Sequence, residues 1–531
     1  MPSFNLADLF EIVADAVPDN LALVAGDVRL TYAELEARAN RAAAALAAGG
    51  VGHGDRVAIL SYNRAEWLEA QIAAFKLRAG TVNVNYRYTS GELAHVIADS
   101  GAKALVGERA LVARLNEVRD TLPDLTHVLL LEDGSDAEVP GARSYADDVA
   151  AASPERVTVE RSGDDLFMLY TGGTTGLPKG VVWRAEDMFF TAMGGGRMIG
   201  DPVTRPEEVG ENAAAGGLTI MVNAPLMHAA GVWICWAALT SGSKLVVWSE
   251  RSFDPAGVLG VAAAEGAQVM SLVGDAMARP IADLLTADPK AFDLTSLLVL
   301  ACGGSATSPD VKARLHAALP TLMTILDAMG GSETGVAAAG VEPDEFGNAR
   351  FAPREGMAVL DENLRPITPG SDDIGVFARK GRIPIGYWND PVKTAATFVT
   401  DADGVRWAIQ GDMAKVDADG NMVLLGRGST VVNTGGEKVY AEEVETAVKA
   451  HPSVYDALVV GVPDERFGQR VAAVVSTSGE VTAEELREHC RKTLAGYKVP
   501  RDVHFVPEVQ RTPTGKADYK WAKAAALEAG A

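Results

Sequence analysis

Short apolar runs alternate with longer amphipathic or alanine-rich stretches along the chain up to about residue 430. The clearest of these apolar runs cover residues 56–60, 127–131, 244–248 and 296–300. Runs of this length, separated by helical patterns, are typical of buried strands joined by crossover helices. The pattern therefore predicts an α/β fold with parallel sheets.

Some helix starts are marked by a threonine that is followed three residues later by a glutamate. In such a capping box the hydroxyl and the carboxylate each accept a hydrogen bond from an otherwise unpaired backbone amide. The spacing predicts helices that begin just after each threonine. The pairs are Thr31 with Glu34, Thr89 with Glu92, and Thr482 with Glu485.

The composition changes at the Gly-Arg-Gly-Ser step of residues 426–429. Beyond it come a β-rich patch, a helix from about Ala441 and a strand around residues 457–460. This remainder is long enough for a small α+β domain. We predict an N-terminal domain at residues 1–427 and a C-terminal domain at residues 428–531.

Composition and charge narrow the classes of function. Hydrophobic residues make up 48% and charged residues 22% of the 531 residues, which excludes a largely disordered or collagen-like chain. The formal net charge is −23. Nucleic acids and anionic membranes are bound by clustered cations, so neither is an expected partner. Any anion must bind in a local pocket.

The cysteines and the N-terminus indicate the compartment. Cys235, Cys302 and Cys490 are widely spaced and lack metal-ligand spacing, so we expect neither a disulfide framework nor a structural zinc site. The N-terminus does not read as a signal peptide, and no run of about 18 apolar residues occurs. We predict a cytoplasmic protein without an integral membrane segment, and the sequence leaves a homodimer open.

Residues 170–180, Tyr-Thr-Gly-Gly-Thr-Thr-Gly-Leu-Pro-Lys-Gly, follow the apolar run 166–169. Glycines allow several amides to turn toward one anion, threonine hydroxyls add donors, and the lysine adds a charge. The lysine stands between Pro178 and Gly180, so this is not a Walker A loop. The segment predicts a polyphosphate-binding loop. Its candidate ligands are Thr171, Gly172, Gly173, Thr174, Thr175 and Lys179.

This string resembles the phosphate loop of the adenylate-forming superfamily, which contains acyl-CoA synthetases, luciferases and the adenylation domains of nonribosomal peptide synthetases. Gly172 stands where the family pattern has a serine. Further motifs follow in the family's order over nearly the whole chain, and the details look closest to actinobacterial synthetases of fatty and steroid side-chain acids. The resemblance implies a large multi-sheet N-terminal domain with a small mobile C-terminal domain.

Residues 329–334, Met-Gly-Gly-Ser-Glu-Thr, look like the family's aromatic-Gly-x-Thr-Glu motif. The resemblance implies that Glu333 helps to hold Mg²⁺ on the nucleotide phosphates, a role suited to a hard oxygen ligand. It places Ser332 near the α-phosphate. Met329 and Gly330 would lie at the adenine, with a thioether contact in place of the tyrosine of many relatives.

Asp412 matches the aspartate of the family's Gly-Asp motif, which accepts both ribose hydroxyls. A carboxylate offers two acceptor oxygens, the right number for a vicinal diol. Arg427 matches an arginine that faces the ribose and phosphate. Ser429 takes the place of the usual hinge aspartate or lysine, and a small residue can absorb a large backbone change.

Two further motifs lie in the C-terminal part. Gly435 and Gly436 resemble the loop that lines the pantetheine tunnel of CoA, where glycine lets the backbone approach the thin cofactor arm. Lys516 matches the lysine that bridges the attacking carboxylate and the α-phosphate. An ammonium on a flexible stem suits that task because negative charge spreads there as the bond forms.

The acyl group is expected near two segments. His228 stands at the family's gating position, and Gly303, Gly304 and Ser305 resemble the turn between acyl pocket and adenine. A substrate carboxylate is already ionised at pH 7, so no general base is needed and gating is the favoured role of His228. The segment 274–277 is a candidate for the far wall.

The resemblance implies an AMP-forming acyl-CoA synthetase that uses ATP, Mg²⁺ and CoA to activate a hydrophobic acid, either a medium or long-chain fatty acid or a steroid side-chain acid. The candidate catalytic residues are Lys516, Glu333, Thr171 and His228. One alternative is an enzyme that loads a separate carrier protein. Another is a non-catalytic nucleotide sensor, which would tolerate loss of the lysine that this chain retains.

Overall fold

A computed structural model describes residues 2–173, 176–198, 200–305, 307–341, 350–434, 437–464, 467–512 and 515–528. For Arg427 and Ser429 it describes the backbone alone.

The α-helices, in chain order, are α1 Leu6–Ala16, α2 Tyr32–Ala48, α3 Ala65–Lys76, α4 Ser90–Ser100, α5 Arg109–Val112, α6 Tyr145–Ala151, α7 Ala185–Ala192, α8 Glu208–Ala214, α9 Ala229–Thr240, α10 Pro255–Glu265, α11 Gly274–Ala287, α12 Pro309–Ala318, α13 Pro391–Thr397, α14 Ala441–Lys449, α15 Ala483–Cys490 and α16 Tyr519–Glu528. Short 3₁₀ turns occur at Ala113–Thr121, Gly194–Gly196 and Gly428–Thr430.

The strands are β1 Leu21–Ala25, β2 Val28–Thr31, β3 Arg56–Leu60, β4 Gly80–Asn83, β5 Ala104–Glu108, β6 His127–Leu131, β7 Arg143–Ser144, β8 Leu166–Gly173, β9 Gly176–Arg184, β10 Thr219–Val222, β11 Lys244–Val247, β12 Val269–Leu272, β13 Val299–Gly303, β14 Thr324–Gly331, β15 Gly335–Val341, β16 Arg350–Pro353, β17 Met357–Leu360, β18 Gly375–Lys380, β19 Gly386–Tyr387, β20 Phe398–Thr400, β21 Arg406–Val416, β22 Met422–Arg427, β23 Val431–Thr434, β24 Glu437–Tyr440, β25 Val454–Asp464, β26 Gly468–Thr477 and β27 Asp502–Phe505.

The strands form several sheets of different character. A large sheet has the order β17-β18-β21-β22-β16-β15-β14-β13-β12-β10-β11-β1-β2, with β20 on β21. A second sheet, β4-β3-β5-β6-β7, is parallel throughout. The small antiparallel sheet β19-β9-β8 carries the predicted phosphate loop. After residue 430 the strands form the sheet β24-β23-β26-β25, with β27 on β26.

The α/β class is confirmed, but the expectation of parallel sheets holds for only part of the chain. In the order given, the large sheet is parallel from β14 to β1, whereas the strands from β14 to β17 and the edge pair β1–β2 are antiparallel. Strand β14 ends at Gly331 and β15 begins at Gly335, a connection too short for a parallel crossover. The runs 56–60 and 127–131 are strands as predicted, whereas the run at 296–300 becomes a strand only from Val299.

The capping boxes are confirmed at all three predicted helix starts. At α2 the Glu34 amide donates to the Thr31 hydroxyl at 3.2 Å, and the Thr31 amide donates to the Glu34 carboxylate at 2.8 Å. Two amides at the helix end are thereby satisfied.

Cys235, Cys302 and Cys490 are buried free thiols. Within the described ranges, none of the helices is long and apolar enough to cross a membrane. The division at residues 427 and 428 follows the change from the large sheet to the last sheet, and as a domain boundary it stays a prediction.

A buried charge cluster ties α1, α2 and α3 together. The Lys76 side chain has no exposed surface, and its Nζ lies 2.5 Å from Glu11 Oε1 and 2.8 Å from Glu36 Oε1. Removing one partner of a buried pair leaves an uncompensated charge in a poorly solvated place. The packing of these helices therefore depends on this ammonium.

We predict that Lys76→Met lowers the free energy of unfolding by about 3 kcal/mol, because the two carboxylates lose the buried cation that they share and keep one arginine each, while side-chain volume is kept. The matched control is Lys103→Met, which breaks a half-exposed pair with Asp55. That substitution should lower the free energy of unfolding by less than about 1 kcal/mol. Urea unfolding of both variants is the measurement, and equal losses would contradict the assigned role of Lys76.

Candidate active site

The predicted phosphate loop is the tip of the β8–β9 hairpin. Thr171 and Lys179 lie opposite each other across the ladder, and Gly173 pairs with Gly176. A Cβ atom on Gly172 would meet nothing within 4 Å, so the backbone is uncrowded there. Thr174 and Thr175 lie outside the described residues. The hairpin thus presents Thr171 and Lys179 side by side.

Lys179 is held by a residue that the motifs did not indicate. Its Nζ lies 2.7 Å from Asp390 Oδ2 and 5.9 Å from the ring centroid of Tyr387. The hydrogen bond from Lys179 is the main cause that holds the pKa of Asp390 below its ordinary value. Asp390 also accepts a hydrogen bond from the Lys393 amide at the start of α13. From sequence alone it looks like an ordinary helix cap.

Glu333 is held through both carboxylate oxygens. The Tyr387 hydroxyl donates to Oε1 at 2.8 Å, and the Gln410 amide donates to Oε2 at 2.7 Å. Burial and the charge of Glu333 raise the pKa of Tyr387, so its hydroxyl stays protonated. Both donors are neutral and leave the negative charge of Glu333 uncancelled.

The residues present fit a magnesium ion held partly by substrate. No group of three or more His, Cys, Asp or Glu side chains that could hold a metal ion occurs in the part of the chain that the structure describes. Mg²⁺ is commonly bound by one or two carboxylates together with substrate phosphates. Each oxygen of Glu333 keeps a lone pair beyond its hydrogen bond, so Glu333 suits this arrangement.

The neighbours of Glu333 alternate between two faces of β14. Met329 is 9% exposed and belongs to an apolar cluster with Phe351 and Phe377. Gly330, by contrast, is exposed. The Ser332 carbonyl accepts a hydrogen bond from the Trp183 indole at 2.8 Å, which ties this turn to β9. The thioether of Met329 therefore points into the core, and its contact with adenine stays a prediction.

Asp412 and Arg427 are direct cross-strand partners on β21 and β22. Gly411 has φ +88°, a conformation that favours glycine. The Gln410 that holds Glu333 stands two residues before Asp412 on the same strand. Asp412, predicted to bind the ribose, and Glu333, predicted to bind the metal, are thus linked through β21.

His228 directly precedes α9 and is placed next to the phosphate loop by Asn83. The Asn83 side chain donates to the carbonyls of Tyr170 and Met227, and the Tyr170 amide donates back to Asn83 Oδ1 at 2.7 Å. Burial, followed by the charges of Lys516 and Arg87, lowers the pKa of His228 to about 4. The imidazole is therefore neutral near pH 7.

Lys516 reaches this site from the C-terminal part of the chain. Its side chain is exposed, and its amide donates to the Thr512 hydroxyl at 3.1 Å. It is close enough for its charge to lower the pKa of His228. Residues 228 and 516 thus lie within electrostatic range of each other, and the role of Lys516 at the α-phosphate stays a prediction.

Val273 connects Lys516 with the predicted acyl-side turn. A Cβ on Gly304, which has φ +81°, would lie 3.8 Å from Val273 Cγ1. A Cβ on Gly515 would lie 3.4 Å from the same methyl group and 2.9 Å from Ala276 Cβ. The same valine thus lies beside both the predicted acyl-side turn at Gly303, Gly304 and Ser305 and the segment that carries Lys516.

The two parts of the chain also meet at a polar contact on α11. The Arg279 guanidinium lies 5.0 Å from the ring centroid of Tyr455, and the Tyr455 hydroxyl lies 3.4 Å from Asp283 Oδ2. Burial would raise the pKa of Asp275, but the charges of Lys449 and Arg279 outweigh it and lower that pKa. Segment 274–277 therefore faces the C-terminal part. Gly435 and Gly436 lie outside the described residues.

Comparison with protein-family models gives two matches in the expected order. Residues 10–382 match the AMP-binding enzyme model, and residues 443–516 match the AMP-binding enzyme C-terminal domain. The chain belongs to the AMP-binding enzyme family. The predicted family resemblance is confirmed.

Individual relatives agree with this assignment. A 3-oxocholest-4-en-26-oate–CoA ligase of Rhodococcus rhodochrous is 44% identical over 98% of this chain and 96% of its own length. A medium/long-chain-fatty-acid–CoA/3-oxocholest-4-en-26-oate–CoA ligase of Mycobacterium marinum is 43% identical over the same shares. The fold matches a crystal structure of an anthranilate CoA ligase in complex with anthranoyl-AMP at TM-score 0.85 and 23% identity, over 100% of this chain and 99% of that one.

Four residues at the site were not identified by sequence reasoning. Asn83, Tyr387, Asp390 and Gln410 lie in strands or at a helix start and carry no motif that separates them from ordinary structural residues. Each acts through a long-range hydrogen bond to a residue that the motifs did identify or to its neighbour. Only the tertiary structure brings these partners together.

We predict that Lys516→Ala raises the pKa of His228 from about 4 toward its ordinary value, because one of the two neighbouring cations is removed. Burial keeps the pKa of His228 below its ordinary value. The measurement is a pH titration of the imidazole signals in protein labelled with ¹⁵N-histidine. Lys520→Ala, which removes an exposed lysine on α16, is the matched control and should leave the titration unchanged. An unchanged pKa in Lys516→Ala would contradict the placement of this lysine.

Proposed function

We propose that this chain is an AMP-forming acyl-CoA synthetase that activates a hydrophobic carboxylic acid with ATP and transfers the acyl group to CoA. The observation that carries the proposal is the packing of Gly515, the neighbour of Lys516, against Val273 and Ala276 beside the predicted acyl-side turn. It brings a cation from the C-terminal part to the site where ATP and a carboxylate would meet. Relatives at 43–44% identity are named as CoA ligases.

In the first half-reaction a carboxylate oxygen of the acid attacks the α-phosphorus of ATP. The new O–P bond forms, the bond between the α-phosphorus and the bridging oxygen breaks, and pyrophosphate leaves. The acid is ionised at pH 7, so no proton has to be removed. This agrees with a neutral His228 whose role is to line and gate the site.

Catalysis in this step rests on positioning and on charge. Negative charge spreads over the phosphoryl oxygens, and preorganised donors that face it lower the barrier. Lys516 would bridge carboxylate and α-phosphate, while Thr171, the loop amides and Lys179 would hold the phosphates. Mg²⁺, held by Glu333 and the phosphates, would offset further charge.

Lys179 has to exchange partners when ATP binds. In the described conformation its ammonium pairs with Asp390 at 2.7 Å. The pair is partly exposed, with 36% of the lysine and 31% of the aspartate side chain accessible. Such a pair stabilises this arrangement by at most about 1 kcal/mol. Phosphate oxygens can therefore displace Asp390 at small cost.

In the second half-reaction the thiol of CoA attacks the carbonyl carbon of the acyl-adenylate. A C–S bond forms, the C–O bond to the phosphate breaks, AMP leaves, and the thiol proton passes to solvent. We assign the backbone rotation that withdraws Lys516 to the turn at residues 428–430, which includes Ser429. Gly435 and Gly436 would then line the cofactor arm.

We propose a medium or long-chain fatty acid or a steroid side-chain acid as the substrate. The names of the relatives support this class. The surroundings of His228 also support it, since the preceding Met227 is 2% exposed and α9 is almost entirely apolar. A small polar acid would leave its polar groups unpaired against such a wall.

CoA is the proposed acceptor rather than a carrier protein, because the relatives are named as CoA ligases. A nucleotide sensor without activity is disfavoured because Lys516, Glu333 and Asp412 are all present. We place the enzyme in the cytoplasm, where ATP and CoA are available, and leave a homodimer open.

The test is a panel of acids with enzyme, ATP, Mg²⁺ and CoA. The panel spans short, medium and long chains, aryl acids and steroid side-chain acids. We predict equal release of AMP and pyrophosphate, fastest with the longer aliphatic or steroid acids, and formation of the acyl-CoA by mass spectrometry. Release of ADP, or no turnover with any acid, would overturn the proposal.

A further inference from the structure

Tyr387, one of the two donors to Glu333, is attached to the strand that carries the phosphate-loop lysine. It lies on β19, where it pairs with Val181 of β9. The next residue extends this contact, since the Trp388 amide donates to the Gly180 carbonyl at 2.7 Å. The distance between Tyr387 and Lys179 is therefore set by backbone hydrogen bonds.

The phenol ring of Tyr387 is fixed independently of its hydroxyl. Its backbone amide donates to the Thr394 hydroxyl at 2.9 Å, and its ring packs on Phe398 at 5.8 Å between centroids. The hydroxyl donates to Glu333 Oε1. Loss of the oxygen alone would leave the ring in place.

Gln410, the other donor to Glu333, packs against a glycine. A Cβ on Gly331 would lie 2.3 Å from Gln410 Nε2, so the amide lies flat over Gly331 in space that a side chain would fill. Gln410 and Gly331 belong to different strands, β21 and β14. The amide therefore packs on Gly331 while its nitrogen donates to Glu333 Oε2.

We propose that Tyr387 and Gln410 are positioning residues that set the orientation of Glu333 for the metal on ATP. The inference rests on the proposed function, in which Glu333 is the metal acid. Through Tyr387 the carboxylate is tied to the strand of Lys179, and through Gln410 to the strand of Asp412. Glu333, Lys179 and Asp412, which are proposed to bind the metal, the phosphates and the ribose, are thereby held at fixed positions relative to one another.

The chemistry of the two donors suits this role. A carboxylate has about four lone-pair sites, and two neutral hydrogen bonds leave two of them and the full charge for a cation. A lysine or arginine in either place would neutralise the charge and compete with the metal. Hydrogen-bond partners of metal ligands typically affect metal affinity by about 10–100-fold.

The test uses the full chain with Tyr387→Phe, which removes only the hydroxyl, and Gln410→Met, which keeps the length of the side chain. Binding of α,β-methylene-ATP, which cannot release pyrophosphate, is measured by calorimetry over a series of Mg²⁺ concentrations. We expect the half-saturating Mg²⁺ concentration to rise at least about tenfold in each variant. Binding at saturating Mg²⁺ should stay close to that of the wild type.

Tyr145→Phe is the matched control. The Tyr145 hydroxyl also donates to a buried carboxylate, Glu69 Oε2 at 3.1 Å, at a place remote in sequence from the site motifs. Its Mg²⁺ dependence should be that of the wild type. No shift in Tyr387→Phe and Gln410→Met, or an equal shift in Tyr145→Phe, would overturn the inference.

A kinetic measurement separates positioning from a general structural effect. In acid-dependent AMP formation at subsaturating Mg²⁺ the variants should show a raised KM for ATP, whereas KM and kcat at saturating Mg²⁺ should lie within about twofold of the wild type. A fall in kcat alone would overturn the inference. If the wild type binds the analogue with Mg²⁺ but no acid yields AMP, the proposed function fails while the positioning result still stands.

Discussion

The close approach of Gly515 to α11 is the constraint on which the site depends. Gly515 has φ +77°, and a Cβ atom there would lie 2.9 Å from the Cβ of Ala276. Any side chain at this position would both strain the backbone and push the segment away. Because glycine stands there, the next residue, Lys516, comes near enough to His228 to lower its pKa. A site divided between two parts of the chain becomes one site.

The rest of the site is held by hydrogen bonds that link separate strands. Asn83 fixes the loop strand β8 to the turn before His228. Tyr387 and Gln410 fix Glu333 to β19 and β21. Asp390 pairs with Lys179 at 2.7 Å and is partly exposed. The charged groups of the candidate site are thus oriented by partly exposed or neutral partners, which keeps them available to a ligand.

Local sequence information predicted those features that depend on neighbours along the chain. The capping boxes and the strand runs at residues 56–60 and 127–131 are of this kind. The partners Asn83, Tyr387 and Gln410 could not be predicted, because each acts across a long sequence separation and has no distinctive spacing. The antiparallel half of the large sheet was missed for a related reason: apolar runs indicate strands, but the direction of pairing depends on connection length.

The central claim is that Lys516 completes the site for the first half-reaction in the described arrangement. The most direct measurement follows both half-reactions in Lys516→Ala, with Lys520→Ala as the control for loss of one exposed positive charge. The account predicts that Lys516→Ala lowers acid-dependent pyrophosphate release about a hundredfold or more, yet converts supplied acyl-adenylate and CoA to thioester at nearly the control rate. Equal loss of both steps, or full pyrophosphate release, would contradict it.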